Sequence, residues 1–409
     1  MKPIRKIVVS LKFDNNPIAV GELVQESKEI FFRYYPDFIK KGIEISPIKL
    51  KLNNNLNKAE STPFNGLFGL FADSLPDGWG KLLLDRSLIS KGIDQSQVGE
   101  LERLAFVGNQ GMGALVYQPE LENESQKQII FELDEIASAS LNLIEGTSTE
   151  ILDDLYLLGC SSGGARPKIL VGHNSKTNQL ISSNKDLPND FNPWLIKFPS
   201  HLDSHDIANV EFAYYKMALD ANIEMSESKL FSGKSGKQYF GTKRFDRLND
   251  NQRLHMQSAA GLMHDNFRLS NLDYGHLMDC AFRLERNVSA YEKILRIAAF
   301  NVFAHNRDDH SKNFSFLMDH KGNWTFAPCY DLTFSNSSHG MHSTMIAGES
   351  ANPSEKHLIL LANYFQIKNA KNIIDEVKSV VNNWKKYAIE SGVSEISTRK
   401  ISKIIQSKL

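Results

Sequence analysis

His305-Asn306-Arg307-Asp308-Asp309-His310-Ser311-Lys312-Asn313 packs two acids, two histidines, an arginine, a lysine and two asparagines into nine residues. An apolar segment precedes it. There Tyr291, Ile294, Leu295, Ala298 and Val302 recur at helical spacing, which predicts a buried helix. A buried helix that ends in so polar a run has left the core for a cleft. A loop rich in Asp, Asn and His can be a solvated turn tied by Asx hydrogen bonds. A His/Asp cluster can also hold a transition metal. His305 and His310 would then be ligands in a metal-dependent phosphohydrolase.

A third reading is phosphoryl transfer. Asp308 and Asn313 are five residues apart, the spacing of the protein-kinase loop H-R-D-x-x-x-x-N. In that loop the Asp takes the proton of the attacking hydroxyl and the Asn holds magnesium. Downstream, Ala327-Pro328-Cys329-Tyr330-Asp331 is an apolar run closed by one acid. The metal-binding Asp of D-F-G falls at the corresponding place. Spacing alone leaves the three readings open, and the preceding sequence has to separate them.

Bulk composition narrows the classes. A chain of 409 residues has room for two or three subdomains. Its 47 Lys+Arg against 48 Asp+Glu leave a formal charge of −1. That balance lacks the basic excess of a free-standing nucleic-acid binder, so contact with DNA would need a local patch or a partner. Cys160, Cys280 and Cys329 are far apart and odd in number. They fit neither a disulfide framework nor a zinc pattern, and they suit a reducing cytoplasm. Met1-Lys2-Pro3-Ile4-Arg5-Lys6 leads into a β-like run instead of an apolar signal core, and no stretch is long enough to span a bilayer. A soluble, cytoplasmic protein with no membrane partner is expected.

Strands are expected at Lys6–Phe13, Pro17–Val24, Glu29–Tyr35 and Ile48–Leu52, with Asp14-Asn15-Asn16 as a turn. Phe64, Leu67, Phe68 and Phe71 have helical spacing, and Pro76-Asp77 suits the start of a helix through Leu88. Ala105–Tyr117 reads as a Gly-rich turn into a short strand, and residues 120–127 as a linker before further helices to about Leu158.

Gly159-Cys160-Ser161-Ser162-Gly163-Gly164-Ala165-Arg166-Pro167-Lys168 then precedes a β run. Small residues allow close backbone approach, and consecutive amides can nest phosphate oxygens. The spacing is not that of a Walker loop, and taken in isolation the stretch reads better as a plain Gly/Ser turn before a strand. In Pro193–Pro199, Trp194, Ile196 and Phe198 face the core at period two, with Lys197 on the other face. A lysine in so apolar a strand needs a partner or must snorkel to water. A kinase strand lysine requires a Glu on the next helix, and Glu211 is expected to open a helix Glu211–Ala221. Strands Lys229–Ser232 and Gln238–Arg244 lead to a hinge at Phe245-Asp246-Arg247. Helices fill Ser258–Ala304, and a hairpin (Phe314–Met318, Trp324–Ala327) precedes Asp331. The tail is helical, with Ile373, Val377, Val380, Val381 and Trp384 on one stripe.

Phosphate loop, strand Lys, helix Glu, hinge, Asp/Asn loop and metal Asp thus follow one another in kinase order. Their wording resembles the HipA family, the kinase toxins of bacterial toxin–antitoxin modules. The carrying stretches are Phe71–Gly80 (FADSLPDGWG), Ser161–Lys168 (SSGGARPK), Trp194–Lys197 (WLIK), Arg244–Arg247 (RFDR), Asn306–Asn313 (NRDDHSKN) and Tyr330–Leu332 (YDL). The resemblance implies an α+β fold: a two-lobed protein-kinase-like core with a β-rich N-terminal subdomain and a mostly helical C-terminal lobe. Its parts would be 1–120, 121–250 and 251–409.

The resemblance also implies an ATP-dependent serine/threonine kinase. Asp308 is then the catalytic base, and Asn313 and Asp331 are the Mg2+ ligands. Lys197 holds the nucleotide phosphates, with Glu211 as its partner, and Gly163, Gly164, Ala165, Arg166, Pro167 and Lys168 form the cradle. Lys243, Arg244 and Phe245 meet adenine, and His310, Ser311, Lys312 and Tyr330 complete the nucleotide site. Ser161, or its neighbour Ser162, is the self-phosphorylated serine that ejects the loop. The implied partners are a protein substrate, aminoacyl-tRNA synthetases being one such target, and a helix-turn-helix HipB-like antitoxin that carries the DNA contact. The alternative is a catalytically weak subunit that holds an antitoxin on operator DNA as co-repressor.

Overall fold

Alternating apolar residues at the start of the chain form strands, as their period requires. The computed structural model describes residues 3–121, 130–147, 151–159, 163–183, 186–337 and 339–409. It divides into two units. The first comprises Met1–Asp203, Phe231–Gln257 and Leu317–Gly322, and the second Ser204–Leu230, Ser258–Phe316 and Asn323–Leu409. Among the described residues, no helix is long and apolar enough to cross a membrane.

In the first unit, β1 (Lys6–Leu11), β2 (Ile18–Glu26), β3 (Glu29–Tyr34), β4 (Asn57–Lys58) and β5 (Leu115–Gln118) form a sheet of order β4-β3-β2-β1-β5. Ile7, Val9 and Leu11 of β1 are fully buried, while the intervening residues are not. Phe32, Tyr34, Phe38, Phe68 and Phe71 make a chain of ring contacts with centroids 4.8–6.2 Å apart, the range favoured by edge-to-face and stacked pairs.

Two expected elements are absent here. Ile48–Leu52 is turn and bend, not strand. Its buried Leu50 anchors a loop: the Leu50 carbonyl accepts from the Tyr34 hydroxyl at 2.8 Å, and its amide donates to the Ser46 carbonyl at 3.0 Å. The aromatic run Phe64–Phe71 is helical only from Gly69. Asn65 and Gly66 have φ of 53° and 81°, which breaks a right-handed helix.

The second sheet has the order β7-β6-β8-β10-β9, from β6 (Lys168–His173), β7 (Leu180–Ser182), β8 (Asn192–Lys197), β9 (Ser228–Ser232) and β10 (Gln238–Lys243). The helices of this unit are α1 (Pro36–Ile39), α2 (Gly69–Ala72), α3 (Gly78–Ser90), α4 (Glu100–Val107), α5 (Leu133–Ile144) and α6 (Leu152–Gly159). Trp79, Leu83, Leu143 and Leu158 share one core cluster with Ile169, Trp194, Ile196 and Phe198. The face of β8 expected to be apolar is therefore the buried one. Lys197 and Leu195 lie on its other face with their antiparallel partners Lys168 and Leu170.

The second unit is helical: α7 (Ile207–Asp220), α8 (Ala259–Met263), α9 (Tyr274–Glu285), α10 (Ser289–Phe303), α11 (Glu355–Tyr364), α12 (Ala370–Asn382), α13 (Trp384–Glu390) and α14 (Glu395–Gln406). Strand β11 (His255–Ser258) leads into it, and β12 (Ser315–Met318) and β13 (Trp324–Phe326) are hydrogen-bonded neighbours. α7 starts at Ile207, one turn before Glu211, because the buried face begins at Ala208 and Val210. α10 is the central helix, burying Ile294, Leu295, Ala298, Phe300, Val302 and Phe303 to within 1% exposure. The Tyr214 hydroxyl of α7 donates to the Ala304 carbonyl at 2.6 Å and so caps the end of α10.

Candidate active site

The candidate residues fall into two groups, one in each unit. In the second unit the polar loop begins where α10 stops. His305 takes φ +56°, a left-handed residue that ends the helix. Its ring stacks on Phe334 with centroids 5.3 Å apart, and its Nε2 lies 3.0 Å from Asn336 Oδ1. Burial pulls the imidazole down to about 4. Among the described residues, no group of three or more His, Cys, Asp or Glu side chains is arranged to hold a metal. The His305/His310 phosphohydrolase reading therefore lacks its ligand set.

The adjacent acids have opposite surroundings. Asp309 is 1% exposed. Its carboxylate accepts from the Tyr274 hydroxyl (3.0 Å), His342 Nδ1 (2.9 Å), the Ser343 amide (2.8 Å) and the Thr344 amide (3.3 Å). Asn301 Nδ2 donates to the same Tyr274 hydroxyl at 2.8 Å, and Asn306 Nδ2 donates to Asn301 Oδ1 at 2.9 Å. A buried carboxylate is stable only when its lone pairs are filled in this way. The side chain of Asp308 is 57% exposed, and His310 Nε2 lies 3.9 Å from its carboxylate. No hydrogen bond to the Asp308 carboxylate is made by any described residue, which leaves it able to receive a proton.

Asn313 is tied back to the same loop. Its Nδ2 donates to the Asp308 carbonyl at 2.7 Å, and its amide donates to the His310 carbonyl at 2.8 Å. Its Oδ1 has no partner among the described residues, so a hard oxygen ligand is presented beside the loop. Ser311 donates to Asp265, and Lys312 places its ammonium 4.8 Å from the Phe267 ring centre, against which His310 also packs. The Tyr330 hydroxyl donates to the Lys312 carbonyl at 2.7 Å and sits 2.6 Å from Ser315 Oγ. Asp331 adopts φ +53°, an uncommon conformation for an L residue that is enriched at functional positions. Asn313 and Asp331 supply oxygen donors, the set that magnesium prefers. Glu211 is buried on α7.

In the first unit, Lys168 and Lys197 are cross-strand partners, 5% and 9% exposed. Paired residues of antiparallel strands share a face. Two ammonium groups therefore stand on one face of the sheet, with Lys197 5.7 Å from the Phe240 ring centre. Gly164 has φ +91°, a conformation that L side chains rarely adopt, and there the loop lies against the Lys168 amine. Ser161 and Ser162 lie outside the described residues. Two expected cradle or hinge cations are already engaged. Arg166 pairs with Asp203 at 2.8 Å, and Arg244 is bidentate to Asp246 at 2.9 and 2.7 Å.

Sequence reasoning gave no role to Asp77, Trp79 or Asp309. The Asp77 carboxylate accepts from the Gly164 amide, and the Trp79 amide donates to the Gly164 carbonyl at 2.9 Å. The Trp79 indole donates to the Lys168 carbonyl at 2.9 Å. Gly78, at φ +40°, approaches so closely that a Cβ would lie 2.5 Å from the Gly164 oxygen. The start of α3 thus grips the loop at both ends. FADSLPDGWG was the available signal, because a Gly between an acid and a Trp marks a close backbone approach.

The chain aligns with HipA of Shewanella oneidensis MR-1, taken from the structure of that toxin–antitoxin system's HipA, HipB and operator DNA complex. The TM-score is 0.70 at 17% identity, covering 98% of this chain and 95% of that one. The Helicobacter pylori proinflammatory kinase CtkA aligns at TM-score 0.36 and 13% identity, over 55% of this chain and 89% of that one. No curated protein matches in sequence. The fold is the mixed α+β one expected from the motifs, and it is shared with that HipA structure. Residues 14–118 match the HipA N-terminal domain and residues 160–384 the HipA-like C-terminal domain. The chain belongs to the HipA family.

Proposed function

We propose that this chain is a Mg2+- and ATP-dependent serine/threonine protein kinase that acts as a HipA-like toxin on a cellular protein and on its own loop serine. Its strongest support is the opposite placement of two neighbouring acids: Asp309 is locked in the interior, and Asp308 is turned outward with an unoccupied carboxylate. ATP and magnesium, when bound, supply the phosphoryl group and neutralise its charge. Asp308 orients the attacking hydroxyl and accepts its proton. Asn313 Oδ1 and the Asp331 carboxylate ligate the metal. Lys168, Lys197 and the loop amides of Gly163, Ala165 and Arg166 hold phosphate oxygens, and Lys243–Phe245 meet adenine. Positioning and charge neutralisation do most of the work in such a site.

Modification of Ser161 or Ser162 would put nearly two negative charges into a loop built to receive phosphate, and so expel it. For a partner we propose a HipB-like antitoxin that carries the DNA contact. Two observations support this. The Shewanella structure contains HipB and operator DNA, and the present chain has a net charge of −1.

The test is Asp308→Asn with γ-labelled ATP. Autophosphorylation should fall by about 10²–10⁴-fold, the usual worth of a positioned base, with an unchanged melting temperature. Transfer at the wild-type rate would remove Asp308 from the mechanism.

A further inference from the structure

The first unit holds three arginines around one buried carboxylate. Asp246, fully buried, accepts from Arg244 Nε and Nη2 (2.9 and 2.7 Å), Arg247 Nη1 (2.6 Å) and the Gly113 amide (2.7 Å). Burial alone would raise this carboxyl, but Arg244 and Arg247 outweigh it and hold it well below the usual range. Arg247 also donates to the Gly113 and Gly111 carbonyls at 2.9 and 2.8 Å. Arg244 thus meets Asp246 through a bidentate fork, and Arg247 is engaged through both of its terminal nitrogens.

Arg253 is different. It is 8% exposed, has no ion-pair partner among the described residues, and makes one hydrogen bond, from Nη1 to the Asn109 carbonyl at 2.9 Å. A guanidinium has five N–H donors. Holding one out of water with most of them unused costs free energy; the carboxylates of Asp246, Asp186 and Glu120 offset burial and the neighbouring Arg244 only in part, which leaves room for an anion in the cluster.

All three arginines line one cavity of about 480 Å³. Asn189, Asn192 and Asn251 line it too, as do the carboxylates Asp186 and Asp250. Asp186 faces Lys12 at 3.9 Å. The volume lies in the range of small-ligand pockets, well above that of a lone oxyanion, and the amides suit hydroxyl groups. The phosphoryl-transfer chemistry uses Lys243 and Arg244 at one edge of this cavity and gives no role to Arg253 or to the rest of the lining.

We infer that the cavity floored by Arg244, Arg247 and Arg253 is a second ligand site, for a small phosphomonoester. Arg253 grips the phosphate through its free fork, and Asn189 and Asn192 on the wall take the hydroxyl-bearing body, Asn251 being held by the Leu187 backbone. Guanidinium–phosphate pairs are favoured by their bidentate geometry. Lys243 and Arg244 belong to both this cavity and the hinge segment, so an occupant here would bear on that segment from the first unit.

The experiment is isothermal titration of the full chain with glucose 6-phosphate and with inorganic phosphate, in the absence of nucleotide. Wild type should bind the sugar phosphate more tightly than phosphate. Arg253→Gln should weaken both by at least about tenfold, the worth of a charged hydrogen-bond pair. If Arg253→Gln fails to fold, Asn189→Asp places a negative charge on the exposed wall without touching the arginines, and should weaken both several-fold. Lys197→Ala should leave both affinities intact. Absence of millimolar binding overturns the inference. So does binding that survives both cavity variants, or that is lost equally in Lys197→Ala, which would put the anion on the phosphate loop.

Discussion

Replacing Asp309 by Asn keeps the shape of the side chain and removes the charge that four donors converge on. One amide oxygen can still serve Ser343 and Thr344, which meet the same carboxylate oxygen at 2.8 and 3.3 Å. The new NH2 must then face the Tyr274 hydroxyl and His342 Nδ1, both donors to Asp309 at 3.0 and 2.9 Å. A hydrogen bond to a charged group contributes about 1.5–3 kcal/mol and a neutral one about 1 kcal/mol. Losing the histidine contact and half of the tyrosine contact should therefore destabilise the second unit by about 2–4 kcal/mol. For a domain of this size that is a fall in melting temperature of roughly 5–15 °C. Calorimetry of wild type, Asp309→Asn, His342→Asn and the double variant gives the coupling directly. The two changes should be non-additive by at least about 1 kcal/mol, as expected for neighbours in one network. Phosphoryl transfer should drop as well, because the clamp sets the backbone that carries Asp308. A melting temperature within about 1 °C of wild type, or strict additivity, would refute the clamp.

Trp79→Phe removes the donor to the Lys168 carbonyl; it should cost about 1–3 kcal/mol and speed tryptic cleavage after Lys168, read by mass spectrometry. Asp246→Asn strips the one carboxylate shared by Arg244 and Arg247. Breaking such a buried pair costs about 3–5 kcal/mol, which urea denaturation followed by tryptophan fluorescence will register. His255 is fully buried, with Nε2 2.9 Å from the Ile45 carbonyl, and burial lowers its pKa from 6.5 to about 4. Between those values the unfolded chain binds a proton that the folded chain refuses, so stability must decline as pH falls through that window. His255 contributes roughly 2–3 kcal/mol to that decline, and His255→Gln should remove this share in melting curves taken from pH 7 to pH 4.5, leaving the share of the similarly lowered His305.

Several features were legible because they are local. Period two in Ile7-Val8-Val9-Ser10-Leu11 and in Trp194-Leu195-Ile196 marks which side chains are buried, and burial follows that alternation until Lys197, which is buried on the opposite face. Helical spacing in the segment before His305 did the same for α10. The five-residue step from Asp308 to Asn313 is closed by a hydrogen bond inside one loop, so sequence distance sufficed there as well. Local patterning failed where packing overrode it. Leu50 is buried as a loop anchor in a run that looked like a strand, and the Phe64–Phe71 spacing is broken by two left-handed residues.

What the chain alone determined was the set of buried faces, the order of the motifs and the resemblance they carry, because each depends on residues within a turn or two of one another. Only the tertiary structure decided that Asp308 faces out while Asp309 is clamped, that Asp77 and Trp79 hold a loop more than eighty residues away, and that Arg244 and Arg247 share one carboxylate beside a cavity that Arg253 also lines. Those arrangements are contacts between segments distant in sequence, and neither propensity nor periodicity encodes which distant donor will meet which acceptor.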